Sequence, residues 1–104
     1  DVVAVTKELL ASQKIAAIMG RKRPKGRDFF DLRWLLDRGV PDFGYLNDRF
    51  SISTDTELRS MVNERIKQFD FNYLAEDVRS FLFERADIEG VRNFPAYWQK
   101  VLLT

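Results

Sequence analysis

The sequence predicts an all-α fold, a bundle of about five or six helices that form one domain over residues 1–104. Apolar residues recur at helical spacing along most of the chain. Helix-capping residues and Gly or Pro stops divide the chain into short segments. Beyond the first few residues no convincing alternation of apolar and polar residues predicts a strand. A length of 104 residues leaves room for a single hydrophobic core.

The first two helices are predicted on either side of a basic loop. Thr6 is a suitable N-cap for a helix that runs to about Met19, and Gly20 ends it. Residues 21–27 form the loop, because a proline and a glycine within them interrupt a helix. The second helix is predicted from about residue 27 to 38, before a Gly and a Pro stop it.

Two more helices are predicted in the middle of the chain. A short one covers residues 42–50, where aromatic and aliphatic residues have helical spacing. The sequence TDTE at residues 54–57 matches a capping box and begins the next helix. The apolar face of that helix is predicted to consist of Leu58, Met61, Val62, Ile66 and Phe69.

The last part of the chain is predicted to hold two helices separated by a polar break. Asp70 caps the first of them. Its inward-facing residues are predicted to be Phe71, Leu74, Val78, Phe81 and Leu82. Residues 84–90 are predicted to be the break, and the final helix begins near Pro95. Its apolar side is predicted to be Trp98, Val101 and Leu102.

The composition excludes several classes of protein. With 45% hydrophobic and 32% charged residues, the chain is of a soluble globular type rather than a disordered one. The net charge of +1 is too small to mark the whole chain as nucleic-acid-binding. The lack of cysteine excludes disulfides and thiolate zinc sites and fits a cytoplasmic location. There is no signal peptide and no apolar run of the ~20 residues that a membrane span needs.

Two charged residues fall on helix faces that should pack. With about 100° of rotation per residue, Lys14 falls on an arc with Leu10 and Ile18. On the second helix Asp28 falls between Leu32 and Leu35, and Asp31 lies at the edge of that arc. Burying an isolated charge is costly, so pairing, a ligand or a cleft is expected nearby.

Structural and functional explanations of these charges are both open. In the structural explanation, Lys14 pairs with Asp28 or extends to water. Asp28 caps its helix, and Asp31 pairs with a neighbouring arginine. Alternatively, the lysine and a carboxylate line a shared cleft. A lysine there can bind phosphate as a point charge, and the carboxylate can orient it or a nucleophile.

The loop between these helices is a candidate nucleic-acid-binding patch. Its basic residues are Arg21, Lys22, Arg23, Lys25 and Arg27. Such a cluster can neutralise several phosphates, although a solvated loop has the same composition. No RNA-binding aromatic motif accompanies it, so no base-specific contact is expected.

Motifs of self-sufficient enzymes are absent. There is no P-loop, G-x-G-x-x-G, H-E-x-x-H or EF-hand pattern, and without histidine no Ser–His or Cys–His pair can form. Asp28 and Asp31, at i and i+3, are a weak candidate for a complete Mg²⁺ site, and no metal ligand is predicted. We therefore expect this chain alone to be inactive as an enzyme.

Three segments together resemble a known family. They are ELLASQKIAAI at residues 8–18, the basic loop with RDFFDLRWLL at residues 27–36, and AEDVRSFL at residues 75–82. Their order is similar to the later motifs of the AbiEii/AbiGii nucleotidyltransferase toxins, including an R-D-x-x-D-L segment. The resemblance covers most of the chain.

The resemblance implies a nucleotidyltransferase of the DNA-polymerase-β-like superfamily that acts in abortive-infection or type IV toxin–antitoxin systems. Such proteins combine an N-terminal α/β domain, which binds NTP and Mg²⁺ through Gly-Ser and Asp-x-Asp motifs, with a helical C-terminal region. Some relatives transfer nucleotides to tRNA. A cognate antitoxin partner is implied as well.

The resemblance assigns roles to five residues. Lys14 would contact the nucleotide phosphates, with Arg27 as a supporting contact and Arg21 beside them. Asp28 would be the acid of the helical half of the site, and Asp31 is the alternative for that role.

The Gly-Ser and Asp-x-Asp motifs do not occur ahead of these residues. We therefore expect the chain to be the helical C-terminal region of a larger α/β-plus-α protein. Residues 1–5 would be the tail of the last strand of the missing N-terminal domain, and that domain would hold most of the Mg²⁺ contacts. The alternative hypothesis is a non-catalytic helical module that binds RNA or an acidic protein through its basic loop.

Overall fold

Seven helices are present in the computed structural model, which describes residues 5–82 and 84–104. No strand occurs within these two ranges. The helices are α1 (Lys7–Gly20), α2 (Gly26–Leu36), α3 (Phe43–Phe50), α4 (Asp55–Ile66), α5 (Phe71–Asp77), α6 (Arg85–Arg92) and α7 (Phe94–Lys100). The all-α prediction is confirmed. The predicted strand tail at residues 1–5 lies, except for Val5, outside the described residues.

Side-chain caps begin the helices where the sequence predicted them. Thr6 Oγ1 accepts a hydrogen bond from the backbone N–H of Leu9 at 3.0 Å, and Thr54 Oγ1 accepts one from that of Glu57 at 3.2 Å. Asp70 accepts from two backbone N–H groups in the first turn of α5. These bonds satisfy donors that have no partner inside the helix. The predicted starts of α1, α4 and α5 are therefore confirmed.

The predicted polar break at residues 84–90 is wrong, because α6 occupies most of it. Ile88 and Val91 anchor this helix and are 4% and 1% exposed. Two apolar residues three positions apart give little periodic signal in a polar segment. The helix forms because α5 and α2 bury that short apolar stripe. Helix α6 is therefore the one helix among those described that the sequence did not predict.

Two residues predicted to face inward are exposed. Phe81 is 62% exposed because α5 ends at Asp77 and the chain then turns, so the helical period no longer applies. Leu102 is 77% exposed because the backbone is extended after Lys100. Successive side chains of an extended segment point to opposite sides, and Leu103 is buried instead.

The core is organised around α2, which packs against α1, α5 and α6. Phe29 on α2 is fully buried, and its ring meets the rings of Phe71 and Phe94 edge-on at centroid distances of 4.9 and 5.0 Å. Edge-to-face aromatic pairs add stabilisation beyond the area that they bury. Phe29 therefore fixes the helix that carries both Asp28 and Asp31.

Gly26 allows the N-terminus of α2 to approach α5 closely. A Cβ at this position would overlap the backbone carbonyl of Leu74 and lie 2.7 Å from a methyl group of Val78. The backbone N–H of Gly26 also donates to a carboxylate oxygen of Asp77 at 3.3 Å. Only glycine fits this contact, which sets the position of the basic loop relative to α5.

In the two described ranges, no helix has the length and apolar character needed to cross a membrane.

Candidate functional site

Lys14 lies at the edge of the packed face of α1. The face is rotated from the predicted arc, since Leu10 is 40% exposed whereas Ala11, Ile15 and Ile18 are fully buried. Its position leaves the Lys14 side chain 32% exposed. The lysine is thus partly shielded from water but still reachable from outside.

Asp28 lies on the buried face of α2, as predicted, and its side chain is only 4% exposed. One carboxylate oxygen accepts a hydrogen bond from the backbone N–H of Lys25 at 3.0 Å. An acidic side chain in the first turn also interacts favourably with the helix dipole. Asp28 therefore closes the N-terminus of α2 while it holds a negative charge in the interior.

The charges that sequence analysis singled out on the first two helices meet in one cluster. Lys14 Nζ lies 2.8 Å from Asp31 Oδ2 and 3.5 Å from Asp28 Oδ1. Arg21 contacts Asp28 at 3.1 Å, and Arg27 Nε lies 3.7 Å from Asp31 Oδ2. We call these five residues the α1–α2 charge cluster.

The structural explanations offered for the charges all occur together. Lys14 pairs with Asp28, Asp28 caps its helix, and Asp31 pairs with Arg27. These contacts compensate the buried carboxylate, so the cluster is a stable part of the fold without any ligand. A ligand site at this position has to use the charge that remains at the surface.

The surface side of the cluster carries an excess of positive charge. Three cations, Lys14, Arg21 and Arg27, face two carboxylates, which leaves a formal charge of +1. The Arg21 and Arg27 side chains are 55% and 69% exposed. Exposed guanidinium groups can turn from a carboxylate to an incoming phosphate at small cost. The arrangement is suited to binding an anion.

The basic loop is held in place by contacts that the sequence did not reveal. Arg65 on α4 donates from Nε to the carbonyl of Ile18 at 3.0 Å and from its guanidinium to the carbonyl of Arg21. Pro24 in the middle of the loop is buried. The Arg65 contacts fix the end of α1 and the start of the loop at Arg21. No local pattern around Arg65 indicates this role, because its partners are more than 40 residues away in sequence.

The remaining basic residues of the loop point into solvent. Lys22, Arg23 and Lys25 are exposed. They lie on the same loop as Arg21, next to the α1–α2 charge cluster. The predicted nucleic-acid-binding residues Lys22, Arg23 and Lys25 are thus exposed on the loop whose first residue, Arg21, belongs to the cluster.

The carboxylates of the cluster do not fit a Mg²⁺ site. Magnesium needs oxygen ligands that are free to coordinate it, whereas Asp28 and Asp31 are both engaged by lysine and arginine. Within residues 5–82 and 84–104 no group of three or more potential metal-ligating side chains occurs.

A family comparison covers nearly the whole chain. The family model described as "Nucleotidyl transferase AbiEii toxin, Type IV TA system" matches residues 1–100. The chain matches no curated protein and no solved structure.

Proposed function

Because the chain belongs to the AbiEii nucleotidyl transferase toxin family of type IV toxin–antitoxin systems, we propose that its α1–α2 charge cluster binds the phosphates of an NTP during nucleotide transfer. The observation that carries the proposal is the convergence of Lys14, Asp28 and Asp31 from two helices. A cluster with an exposed cationic surface suits a polyanionic substrate.

The contacts of Lys14 support a role in phosphate binding. Its ammonium group is held by two carboxylates, which fix its position. A fixed ammonium can stabilise the negative charge that develops as an acceptor hydroxyl attacks the α-phosphorus and pyrophosphate leaves. Arg27 and Arg21 add charge at the rim of the same surface. Asp28 is the acid of the site and orients the lysine. Asp31 is the alternative for that role.

The Mg²⁺ of such a transfer would be held by an N-terminal domain outside this chain, as the family resemblance implies. Metal ions in nucleotidyl transfer neutralise phosphate charge and orient the attacking oxygen. The residues of this chain would contribute the lysine, the arginines and the shape of one wall of the cleft. By themselves they would not transfer a nucleotide.

The proposed acceptor is an RNA such as tRNA, and the basic loop supports it. Lys22, Arg23 and Lys25 project next to the cluster, where they can contact the acceptor backbone. A cognate antitoxin is the expected protein partner of a toxin in such a system.

The alternative is a non-catalytic module that binds RNA or an acidic protein through the same loop. It is favoured by the fact that every charge of the cluster already has a partner inside the chain. The two functions differ in what Lys14 does. Transfer needs Lys14, whereas loop-mediated binding needs Lys22, Arg23 and Lys25.

Lys14→Ala in the full-length protein distinguishes them. We expect the transfer of labelled nucleotide from NTP to fall about 100-fold or more, the usual loss for a missing charge-stabilising group. The melting temperature should change little, because Asp28 keeps Arg21 and the N–H of Lys25 as partners. The matched control is Lys67→Ala, which removes an exposed lysine paired with Glu64 and should retain transfer. Unchanged transfer in Lys14→Ala would exclude the proposed role, and unfolding would assign the lysine to stability alone.

A further inference from the structure

A small cavity opens beside the α1–α2 charge cluster and shares two residues with it. Its volume is about 250 Å³, and it is lined by Arg27, Phe30, Asp31, Val78, Phe81 and Leu82. One wall is therefore charged and belongs to the cluster, and the other is apolar and formed by α2 and the turn after α5.

Phe81 is presented to this cavity by a defined turn. The backbone N–H groups of Phe81 and Leu82 both donate to the carbonyl of Val78 at 2.9 Å, and Val78 is 1% exposed. The turn is thus anchored in the core, while the Phe81 side chain is 62% exposed. Single exposed apolar residues are common, but this one joins three other apolar residues at a charged cluster.

Building on the proposed function, we propose that this cavity holds the base of the NTP, which stacks on the ring of Phe81. A nucleotide has an anionic phosphate end and a flat, weakly polar base. The surface offers matching groups in the same order. Lys14 and Arg27 can bind the phosphates, and Phe81 and Leu82 next to them can contact the base. Aromatic side chains are the usual platforms for bases.

The composition of the cavity also predicts weak discrimination among bases. Among the residues that the structure describes, its polar side chains are Arg27 and Asp31, and these are paired with each other and, for Asp31, with Lys14. Reading a base requires free donors and acceptors directed at its edge. Every base has a π face, so stacking on Phe81 would accept all four nucleotides.

The test measures binding of ATP, GTP, CTP and UTP, and of inorganic tripolyphosphate, to the full-length protein. Phe81→Ala should weaken binding of all four nucleotides by about 5- to 100-fold, the range for loss of one stacking platform. Tripolyphosphate has no base, so its binding should not change. Phe81→Leu should weaken nucleotide binding as Phe81→Ala does, because leucine is apolar but has no ring. Phe81→Trp, which keeps an aromatic ring, should retain nucleotide binding.

Tyr73→Ala is the matched control. Tyr73 is an aromatic residue of the same helix–turn region, is 70% exposed and does not line the cavity. Its replacement should leave the binding of every probe unchanged. A loss as large as that of Phe81→Ala would show a general effect of exposed aromatic residues and would overturn the proposal.

Several outcomes separate this inference from the proposed function. Nucleotide binding that depends on Lys14 but is unaffected by Phe81→Ala would overturn base stacking and leave the phosphate site intact. Equal weakening of tripolyphosphate by Phe81→Ala would also overturn it, as would full retention of binding in Phe81→Leu. Tripolyphosphate binding that does not depend on Lys14 would instead contradict the proposed function, and stacking would still stand if Phe81→Ala weakened the nucleotides alone.

Discussion

Lys14 and Asp31 make the shorter of the two lysine–carboxylate contacts in the α1–α2 charge cluster, with Nζ and Oδ2 2.8 Å apart. Asp28 lies 3.5 Å from the same nitrogen. The two carboxylates also differ in exposure, since the Asp31 side chain is 25% exposed and that of Asp28 is 4% exposed. Asp31 therefore acts as the outer partner of the lysine, and Asp28 as the inner one.

This difference predicts that Asp28→Asn and Asp31→Asn affect different properties. Asp28→Asn removes a buried charge that compensates Arg21 and Lys14, and we expect a loss of about 1–3 kcal/mol in the free energy of unfolding. Asp31→Asn weakens a partly exposed pair and should cost about 1 kcal/mol or less. Urea titration of the two variants measures both values.

Asn has the same shape as Asp, so each variant is a control for the other. A change in nucleotide transfer in Asp31→Asn can be attributed to the site itself, because this variant should leave the fold nearly unaffected. A larger loss of stability in Asp31→Asn than in Asp28→Asn would contradict the assignment of inner and outer partners.

Gly26→Ala is predicted to be strongly unfavourable. The added methyl group would collide with the carbonyl of Leu74, which as backbone cannot move aside without shifting α5. Overpacking of this kind typically costs about 1–3 kcal/mol, occasionally more. Thermal denaturation of the purified variant gives the change.

Gly20→Ala is the matched control for this glycine. It is the last residue of α1, has no positive φ, and has open space within 4 Å of the added Cβ. Alanine at such a position stabilises a protein by about 0.4–1 kcal/mol through the unfolded state. If the two variants had equal stability, the close approach of α2 to α5 would be wrong.

The helix starts were predictable from sequence because capping is local. Thr6, Thr54 and Asp70 each bond to an N–H group two or three residues further along the chain. Helix α6 was not predictable from the sequence, because the burial of Ile88 and Val91 depends on helices that are distant in sequence.

The candidate site shows the same division. The helical angle of Asp28 indicated that it faces inward, and its burial confirms this. The roles of Gly26 and Arg65 depend on contacts to Leu74 and to the carbonyls of α1. Such contacts between distant segments leave no trace in the local pattern of residues.

The basic loop should make RNA binding salt-dependent. Replacing Lys22, Arg23 and Lys25 by Gln removes three exposed charges. If each contacts a phosphate, the slope of log K against log salt concentration should decrease by about 2–3. Binding of a tRNA to the full-length protein at several salt concentrations measures the slope.

The triple variant Lys67→Gln, Arg79→Gln, Lys100→Gln removes the same charge from elsewhere on the surface and serves as its control. These residues lie outside the loop, after α4, in the turn after α5 and at the end of α7. A slope that does not change in the loop variant, or changes equally in the control, would exclude the loop as the RNA contact.

Glu76 is predicted to make stability sensitive to acid. A hydrogen bond from Arg79 is the main cause that lowers the pKa of Glu76 from 4.5 to about 2, and Arg92 adds to it. Because this pKa is lower in the folded protein than in the unfolded chain, the carboxylate stabilises the fold above about pH 4.5. That contribution should disappear as the pH falls from about 4.5 to about 2.

The melting temperature of Glu76→Gln should therefore vary less over this pH range than that of the unsubstituted protein, since its side chain takes up no proton. Arg79→Gln tests the cause, because loss of the main hydrogen bond should raise the pKa of Glu76, so that the acid-induced loss of stability becomes smaller and is complete at a higher pH. An NMR titration of the Glu76 carboxyl carbon measures the pKa directly. A midpoint near 4.5 in the unsubstituted protein would show that the Arg79 contact does not persist in solution, and both expected pH effects would then be absent.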